Sequence, residues 1–370
     1  MYFANISNNT SDIYDYIFQK SIKDKEKLSF ITLDCDNEQK WSVVPANESL
    51  YEGLSGVALL YLMKYIVDKN EKYYLYYKMY MKSSIEIAET KGLINAFQGY
   101  LAPLYPILLE KKYLKKTYFN QYIKKISERL SEVNSENIKQ IKKYDFITGI
   151  SGIITLLSSS QKVFGNGVFG NEVIQLFSNV LNSKLQDKQY INSIENSGFA
   201  HGLSGMVFSL VVSNNITNDN IIELLEIEKS IYISEEDKYK WCKGLVGKIQ
   251  AILKIIEYKN ELEKKFNVDY LLKQFEQFLN NIPQDDCLCH GTSGILTTLK
   301  MVYNYTKDEK WNEYIKAIQS QMYINNNLDS YKIKRILNIE LLGLFDGLSG
   351  IAWSDLYLNN NIENVQIFEI

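Results

Sequence analysis

Proline, histidine and cysteine are all scarce in this chain, and each scarcity narrows the reading. Four prolines in 370 residues permit long helices and disfavour a many-turned all-β design, because proline breaks helix interiors and punctuates strands. Four cysteines, at positions 35, 242, 287 and 289, are too few for a disulfide scaffold of this size. Three of them stand in glycine-flanked motifs, which points to metal or thiol chemistry in a reducing compartment, whereas Cys35 reads as an ordinary residue. No apolar run approaches the ~20 residues that a membrane-spanning helix needs. The amino terminus, MYFANISNNTSDIYDYIFQK, has neither a basic start nor a continuous apolar stretch, so no signal peptide is predicted and a cytoplasmic protein is the simplest expectation. Charge of one sign is missing too. A formal charge of −3 with interspersed lysines leaves no electrostatic footprint for nucleic acid or an anionic membrane.

What the chain does have is apolar material, at 46% of residues against 23% charged, and a repeat. The apolar share is ample for a buried core, and the length alone is compatible with one large domain or with two or three ordinary ones. One glycine tetrad recurs: GLSG at 53, GISG at 149, GLSG at 202, GLVG at 244, GTSG at 291 and GLSG at 347, with a degenerate GYLA at 99 filling the one large gap. The intervals run from 42 to 56 residues, which describes one structural unit used seven times over residues 1–370. An apolar segment follows each of the six clear tetrads, among them VALLYL from Val57, IITLL from Ile153 and MVFSLVV from Met206. Each interval has room for two helices and two short connections. Polar, lysine- and tyrosine-rich stretches such as Tyr73 to Met81 and Glu257 to Phe266 are the expected second helices. The tetrad glycines are expected to turn a loop tightly onto each inner helix and to let neighbours approach closely. For most copies that packing role is a sufficient account of them. An open solenoid and a closed ring both satisfy the repeat.

The residues just before the tetrads carry the chemistry. Cys242 and Cys289 each lie two positions before a tetrad glycine, so they occupy the same slot in adjacent repeats. His201 and His290, the chain's two histidines, each lie one position before. Two thiolates and one imidazole suit Zn²⁺, and three protein ligands leave a fourth tetrahedral position open for water or substrate. A structural zinc would take a fourth protein ligand, for which Cys287 is the nearby candidate.

Taken together, AHGLSG at 200–205, WCKG at 241–244, CHGTSG at 289–294 and DFITGISG at 145–152 resemble the lanthionine synthetase C family, the lantibiotic cyclases. The resemblance spans all seven repeats, and its WC-x-G and CHG motifs are specific. It implies a single domain, an all-α, seven-fold α/α toroid with the tetrad loops at one rim, and one Zn²⁺ held by Cys242, Cys289 and His290. It implies that His201 serves as acid/base and that Asp145 is an acidic residue important for activity. The implied reaction is Michael addition of cysteine thiols to dehydroalanine or dehydrobutyrine in a dehydrated precursor peptide, giving lanthionine or methyllanthionine rings. The implied partners are that peptide, a dehydratase and an ABC exporter, with peripheral association to a membrane-bound synthetase complex.

The chemistry is coherent. A free cysteine near neutrality is only a few per cent thiolate, and zinc coordination deprotonates it. Attack on the β-carbon leaves an enolate that needs a proton at the α-carbon, a task suited to an imidazole with an unperturbed pKa near 6.5. The alternative for Asp145 is a solvated loop or cap residue. The chain also departs from the family pattern. Lys243 stands where the family often has tyrosine or histidine, the tetrad GLVG lacks the usual proline, and the usual arginine before the WC pair is replaced by Lys238 and Lys240. Both lysines are candidates to stabilise an enolate, Lys238 first, with simple solvation as the alternative. Two other toroidal enzyme classes, zinc-dependent prenyltransferases and glycosidases, fit less well: the adjacent Cys-His pair argues against the first, and the second needs paired carboxylates rather than zinc. The rival from another class is a non-cyclising zinc protein that binds peptide or glutathione thiols, or a scaffold for a modification complex, with the 28 tyrosines as its surface. Most of those tyrosines, at helical spacing, are expected to be packing residues.

Overall fold

The computed structural model describes residues 11–35, 40–134, 138, 141–280, 282–283, 285–322, 331 and 339–370. The side chain of Cys35 lies outside the described residues. Helices follow the glycine tetrads as expected. The inner helices are Leu54–Asp68, Leu104–Leu114, Ile150–Phe164, Leu203–Val212, Leu245–Tyr258, Thr292–Thr306 and Leu348–Asn359. Six of them begin directly after a tetrad glycine in extended conformation: Gly53, Gly149, Gly202, Gly244, Gly291 and Gly347. The seventh starts differently. Gly99 adopts a left-handed φ of +71 inside a turn, and its helix begins only at Leu104, after Pro103, a residue preset for a helix start.

Inner and outer helices differ in how far around they are apolar. Every residue from Leu54 to Met63 is buried, and so is every residue from Leu245 to Ile256, as expected of helices covered on all sides. The outer helices Glu71–Glu89, Asn120–Ser131, Asn171–Leu185, Asn218–Ser230, Val268–Phe278 and Glu309–Met322 bury one stripe each, such as Val268, Leu271, Leu272 and Phe275. Several carry side-chain caps, from Asn70, Thr217 and Asn267, which satisfy exposed amide donors. Tyr73 to Met81 lies in an outer helix as expected. Glu257 to Phe266 does not: the inner helix ends at Tyr258, a 3₁₀ turn covers Asn260–Lys265, and the outer helix starts at Val268. The apolar stripe that a packed helix needs begins only there. Two antiparallel hairpins, pairing Ile22–Asp24 with Lys27–Ser29 and Ile31–Cys35 with Trp41–Pro45, were not anticipated.

The chain forms two compact units. One comprises Met1–Lys91 with Pro283–Ile362. Its inner helices Thr292–Thr306, Leu348–Asn359 and Leu54–Asp68 lie side by side in that order, and Ser11–Gln19 packs on Leu348–Asn359. Tyrosines fill this packing: Tyr61 stacks on Tyr80 at 5.6 Å and donates from its hydroxyl to the Tyr14 carbonyl at 2.8 Å. The other unit comprises Gly92–Ile282 with Glu363–Ile370, and its inner helices Leu104–Leu114, Ile150–Phe164, Leu203–Val212 and Leu245–Tyr258 are successive neighbours.

One close approach repeats at the loops. A Cβ added to the second tetrad glycine would lie 1.9–2.4 Å from the carbonyl oxygen six residues earlier, at Gly56, Gly152, Gly205, Gly247 and Gly350. Those earlier residues, Leu50, Phe146, Phe199, Trp241 and Leu344, are all fully buried. Each loop is thereby pinned by an apolar anchor and curls tightly over its own helix start. Backbone hydrogen bonds then join successive loops: Phe146 N–H to Ala200 O at 2.9 Å, Phe199 N–H to Trp241 O at 3.0 Å and His201 N–H to Cys242 O at 3.1 Å in one unit. In the other, Cys289 N–H donates to Phe345 O and Leu344 N–H to Tyr51 O, both at 2.9 Å. Equal slots in adjacent repeats thus become neighbours in space.

Candidate metal centre

In the unit holding residues 92–282, His201 and Asp145 meet. The two come from successive repeats, and the Phe146–Ala200 backbone hydrogen bond aligns their loops. His201 Nδ1 lies 2.9 Å from Asp145 Oδ2. The other carboxylate oxygen, Oδ1, accepts from Thr148 N–H at 2.7 Å and from its hydroxyl at 2.8 Å. Burial pushes the Asp145 carboxyl up, but the hydrogen bonds from His201 and Thr148 outweigh it and hold the group below its ordinary range. The carboxylate is therefore ionised and fixed. Its bonds to Thr148 are those of the cap alternative, and the contact with His201 goes beyond it. With Nδ1 committed to Asp145, Nε2 is the ring nitrogen left to exchange a proton.

The loop before His201 is held from an outer helix. Glu228 is fully buried; it accepts from Gly198 N–H at 2.9 Å, from the Ser197 hydroxyl at 3.2 Å and from the Ser204 hydroxyl. Burial pushes its carboxyl up, with Lys248 and these donors opposing. Gly198 has φ +88, and a Cβ there would lie 2.6 Å from the Gly244 nitrogen, so the His201 loop rests on the tetrad of the next repeat. Glu228 was not singled out from the sequence. The signal was available, because an acidic residue sits on the same face as Leu224 and Leu225, the face that the helix buries.

Cys242 is buried in the same unit, its carbonyl bonded to His201 N–H. Of the two lysines before it, both half-buried, Lys238 pairs with Glu235 and lies 4.8 Å over the Phe278 ring. Lys240 is the basic group electrostatically coupled to the thiol. Burial works against its charge, but Asp237 at 2.6 Å, then Glu236 and last Cys242 outweigh it and hold the ammonium above its ordinary range. Lys243, in the histidine slot of this repeat, is exposed.

In the unit holding residues 283–362, Cys287, Cys289 and His290 occupy the turn before Thr292–Thr306. Both cysteines are buried. Cys289 is bonded through its amide to Phe345 O and through its thiol to the Tyr51 hydroxyl, a phenol held well above its ordinary range by burial and then by the thiol's charge. His290 faces sulfur: Nδ1 lies 3.4 Å from Cys287 Sγ, and its own N–H donates to that sulfur at 3.3 Å. The Cys287 amide donates to Asp285 Oδ1 at 2.7 Å. Asp285, Cys287 and His290 offer ligand atoms within 4.8 Å of one another. The histidine slot of the next repeats holds Asp346 and Glu52. Burial, and then the Glu52 charge, push Asp346 up to about 7. Neither acid was anticipated, although both stand one residue before a tetrad glycine as the histidines do.

A family model described as lanthionine synthetase C-like protein matches residues 44–369. The chain belongs to that family. Among solved structures it is similar to nisin cyclase, at 20% identity over 88% of this chain and 90% of that one with a TM-score of 0.61. It is also similar to a cellobiose 2-epimerase from Bacillus thermoamylovorans, at 11% identity over 93% of this chain and 98% of that one with a TM-score of 0.41. No match was found among curated proteins. The family and the nisin cyclase fold agree with the all-α, paired-helix class expected from the sequence, and the α/α toroid implied by the resemblance is consistent with that likeness. Among the described residues no helix is long and apolar enough to cross a membrane.

Proposed function

We propose that this member of the family is a zinc-dependent peptide cyclase, with residues 1–370 acting as one seven-repeat domain. Its substrate is a dehydrated precursor peptide, and its reaction is addition of cysteine thiols to dehydroalanine or dehydrobutyrine to form thioether rings. Cys242, Cys289 and His290 hold the metal; as two thiols and one imidazole they are a group that could hold a metal ion, and their donor chemistry fits Zn²⁺. Bound zinc would supply a lowered thiol pKa and so a peptide thiolate at neutral pH.

The observation that carries the reading is the His201–Asp145 pair at 2.9 Å. Asp145 fixes the ring through Nδ1. His201 Nε2 accepts the proton released by the peptide thiol and delivers a proton to the α-carbon of the enolate. Lys240, whose charge is maintained beside Cys242, replaces Lys238 as the basic group of this region. Dehydratase and exporter partners, and peripheral association with a membrane-bound complex, follow from the family reading alone. The test incubates zinc-loaded protein with a dehydrated, cysteine-containing peptide. Ring formation leaves mass unchanged and protects the cysteines from alkylation, so protection is the expected result. Full alkylation across partner peptides would sink the reading and leave a zinc protein that binds thiols or scaffolds a modification complex.

A further inference from the structure

Residues 363–370 follow the seventh repeat in sequence, yet they belong to the unit built from residues 92–282 and are packed deep within it. Val365, Gln366, Ile367 and Phe368 are each at most 1% exposed. Three inner helices hold the segment through polar contacts. The Tyr105 hydroxyl donates to Glu369 O at 2.9 Å, the Ser159 hydroxyl to Phe368 O at 3.4 Å and the Gln250 amide to Gln366 Oε1 at 2.9 Å. Lys254 pairs with Glu369, and Lys112 pairs with Glu363. Phe368 itself has φ +49, a left-handed backbone that a bulky residue keeps only where its surroundings impose it. What those ties place is an aromatic ring. Its centroid lies 4.8 Å from Phe97, 4.8 Å from Tyr105 and 5.4 Å from Phe146. Phe146 in turn meets Phe199 edge to face at 4.6 Å, and Phe199 stacks on Trp241 at 5.6 Å. Phe146, Phe199 and Trp241 are the buried anchors of successive tetrad loops, so Phe368 is seated against one end of their row.

We propose that Phe368 is a positioning residue for the Asp145–His201 pair. Phe146 directly follows Asp145, and Phe199 stands two residues before His201. The 2.9 Å contact between the imidazole and the carboxylate therefore depends on how these two anchors sit against each other, and Phe368 fixes the seat of Phe146. Removing its ring lets Phe146 settle, tilts the Asp145 loop and loosens the hydrogen bond that holds the His201 tautomer. The inference rests on the acid/base role proposed above for that pair and extends it to a segment distant in sequence. Cys242 is reached only through Phe199 and Trp241, two anchors further along, so the effect falls on proton transfer and not on metal content. A misplacement of about 1 Å at a reacting group is enough to cost ~10²-fold in rate.

The test reads the His201 ring directly, in the full chain labelled with ¹⁵N-histidine. The chain has two histidines, and the nitrogen shifts of each ring report which nitrogen carries the proton. The wild type should show His201 protonated at Nδ1, toward Asp145. Phe368→Ala should show a mixture of tautomers, one zinc per chain as in the wild type, and turnover of a dehydrated, cysteine-containing peptide lowered by about tenfold, short of the ~10²-fold of a full misplacement. Phe368→Leu keeps most of the buried volume and should fall between the two; it carries the test if the alanine variant does not fold. Phe177→Ala removes the same side chain from the buried stripe of the outer helix Asn171–Leu185 and should match the wild type in tautomer and turnover. A wild-type tautomer in both Phe368 variants, or an equal change in Phe177→Ala, would overturn the proposal and leave Phe368 as core packing, with the pair and the cyclase reading intact. A wild type that shows the Nδ1 tautomer but cyclises no peptide would remove the acid/base role, and the tautomer change in the Phe368 variants would then uphold the positioning alone. A wild-type ring without a proton on Nδ1 would overturn the pair and this proposal together.

Discussion

His201 and His290 occupy the same position of the repeat, one residue before a tetrad glycine, and they have been given opposite surroundings. His201 faces a carboxylate that is ionised and held by Thr148. His290 faces a thiol buried in its own turn. The loop geometry that presents the two rings is shared, down to the first tetrad glycine, whose amide donates to the carbonyl four residues back: Gly202 to Gly198 at 3.2 Å and Gly291 to Cys287 at 3.1 Å. What differs is the partner supplied by a neighbouring residue: Asp145 from the preceding repeat, or Cys287 from the same loop. A carboxylate beside Nδ1 suits a ring that moves protons, whereas sulfur neighbours suit a ring that joins a metal. The repeat thus supplies position, and a single neighbour decides the chemistry.

The sharpest way to break this comparison is to remove each ring and ask which property is lost. His290→Ala should cost the metal: with ~10–16 kcal/mol of apparent binding shared among the ligands of a complete zinc site, loss of one weakens binding by about 10³-fold. His201→Ala should keep one zinc per chain, measured by elemental analysis, while the turnover number falls by ~10²–10⁴, the usual range for a general acid/base. If His201→Ala loses zinc, or His290→Ala keeps it, the division of labour is wrong.

Glu228 tests whether the His201 side depends on its outer helix. Glu228→Ala leaves the Gly198 amide and two serine hydroxyls buried without their acceptor, a loss of about 3 kcal/mol if each unsatisfied group costs ~1–3 kcal/mol and part is recovered by relaxation. Urea denaturation should show it, and an unchanged midpoint would remove Glu228 from the account. Asp145→Asn should act more narrowly, lowering turnover by about 10²-fold with zinc retained, as part of the acid/base contribution. It carries a pH signature. The Asp145 carboxyl is held below its ordinary value in the folded chain, so its stabilisation is complete above the unfolded carboxyl's pKa and is lost as pH falls through the lower folded value. The stability gap between wild type and Asp145→Asn should be flat above about pH 5 and close at lower pH. A gap that widened on acidification would contradict the ionised pair.

Much of this architecture was legible in the sequence because the repeat is written in glycine, and glycine here answers a steric demand that no other residue meets. The tetrads marked six inner helices, which begin inside the tetrad, after its first glycine, rather than at the apolar segment that follows it, and they put both histidines and two cysteines in equivalent slots. The degenerate copy at 99 marked a turn but not the helix start, because Pro103 and not the glycine begins that helix. The second helix misplaced at Glu257 to Phe266 shows the limit of polar composition as a guide, since an outer helix is fixed by its apolar stripe. The partners of the site were harder to see. Glu228 and Tyr51 act across repeats, so nothing near them in sequence announces His201 or Cys289. Asp346 and Glu52 were visible in the histidine slot, but only burial makes one carboxyl beside another matter.

The smallest expected effect separates the two lysines before Cys242. Sequence alone favoured Lys238 as a counter-charge for the enolate, because a basic residue is expected a few positions before the WC pair. Its ammonium instead pairs with Glu235, which is almost fully exposed, and lies against Phe278. An ion pair with an exposed partner contributes at most ~0.5 kcal/mol. Lys238→Ala should therefore leave zinc content and turnover within about twofold of wild type, since 0.5 kcal/mol corresponds to roughly that ratio. Lys240→Ala should do more: it removes the charge coupled to the Cys242 thiol and leaves Asp237 without its 2.6 Å partner. Weaker zinc binding in Lys240→Ala than in Lys238→Ala is the expected order, read by competition with a chromophoric chelator. The reverse order would return Lys238 to the site and place its pairing with Glu235 outside the working enzyme.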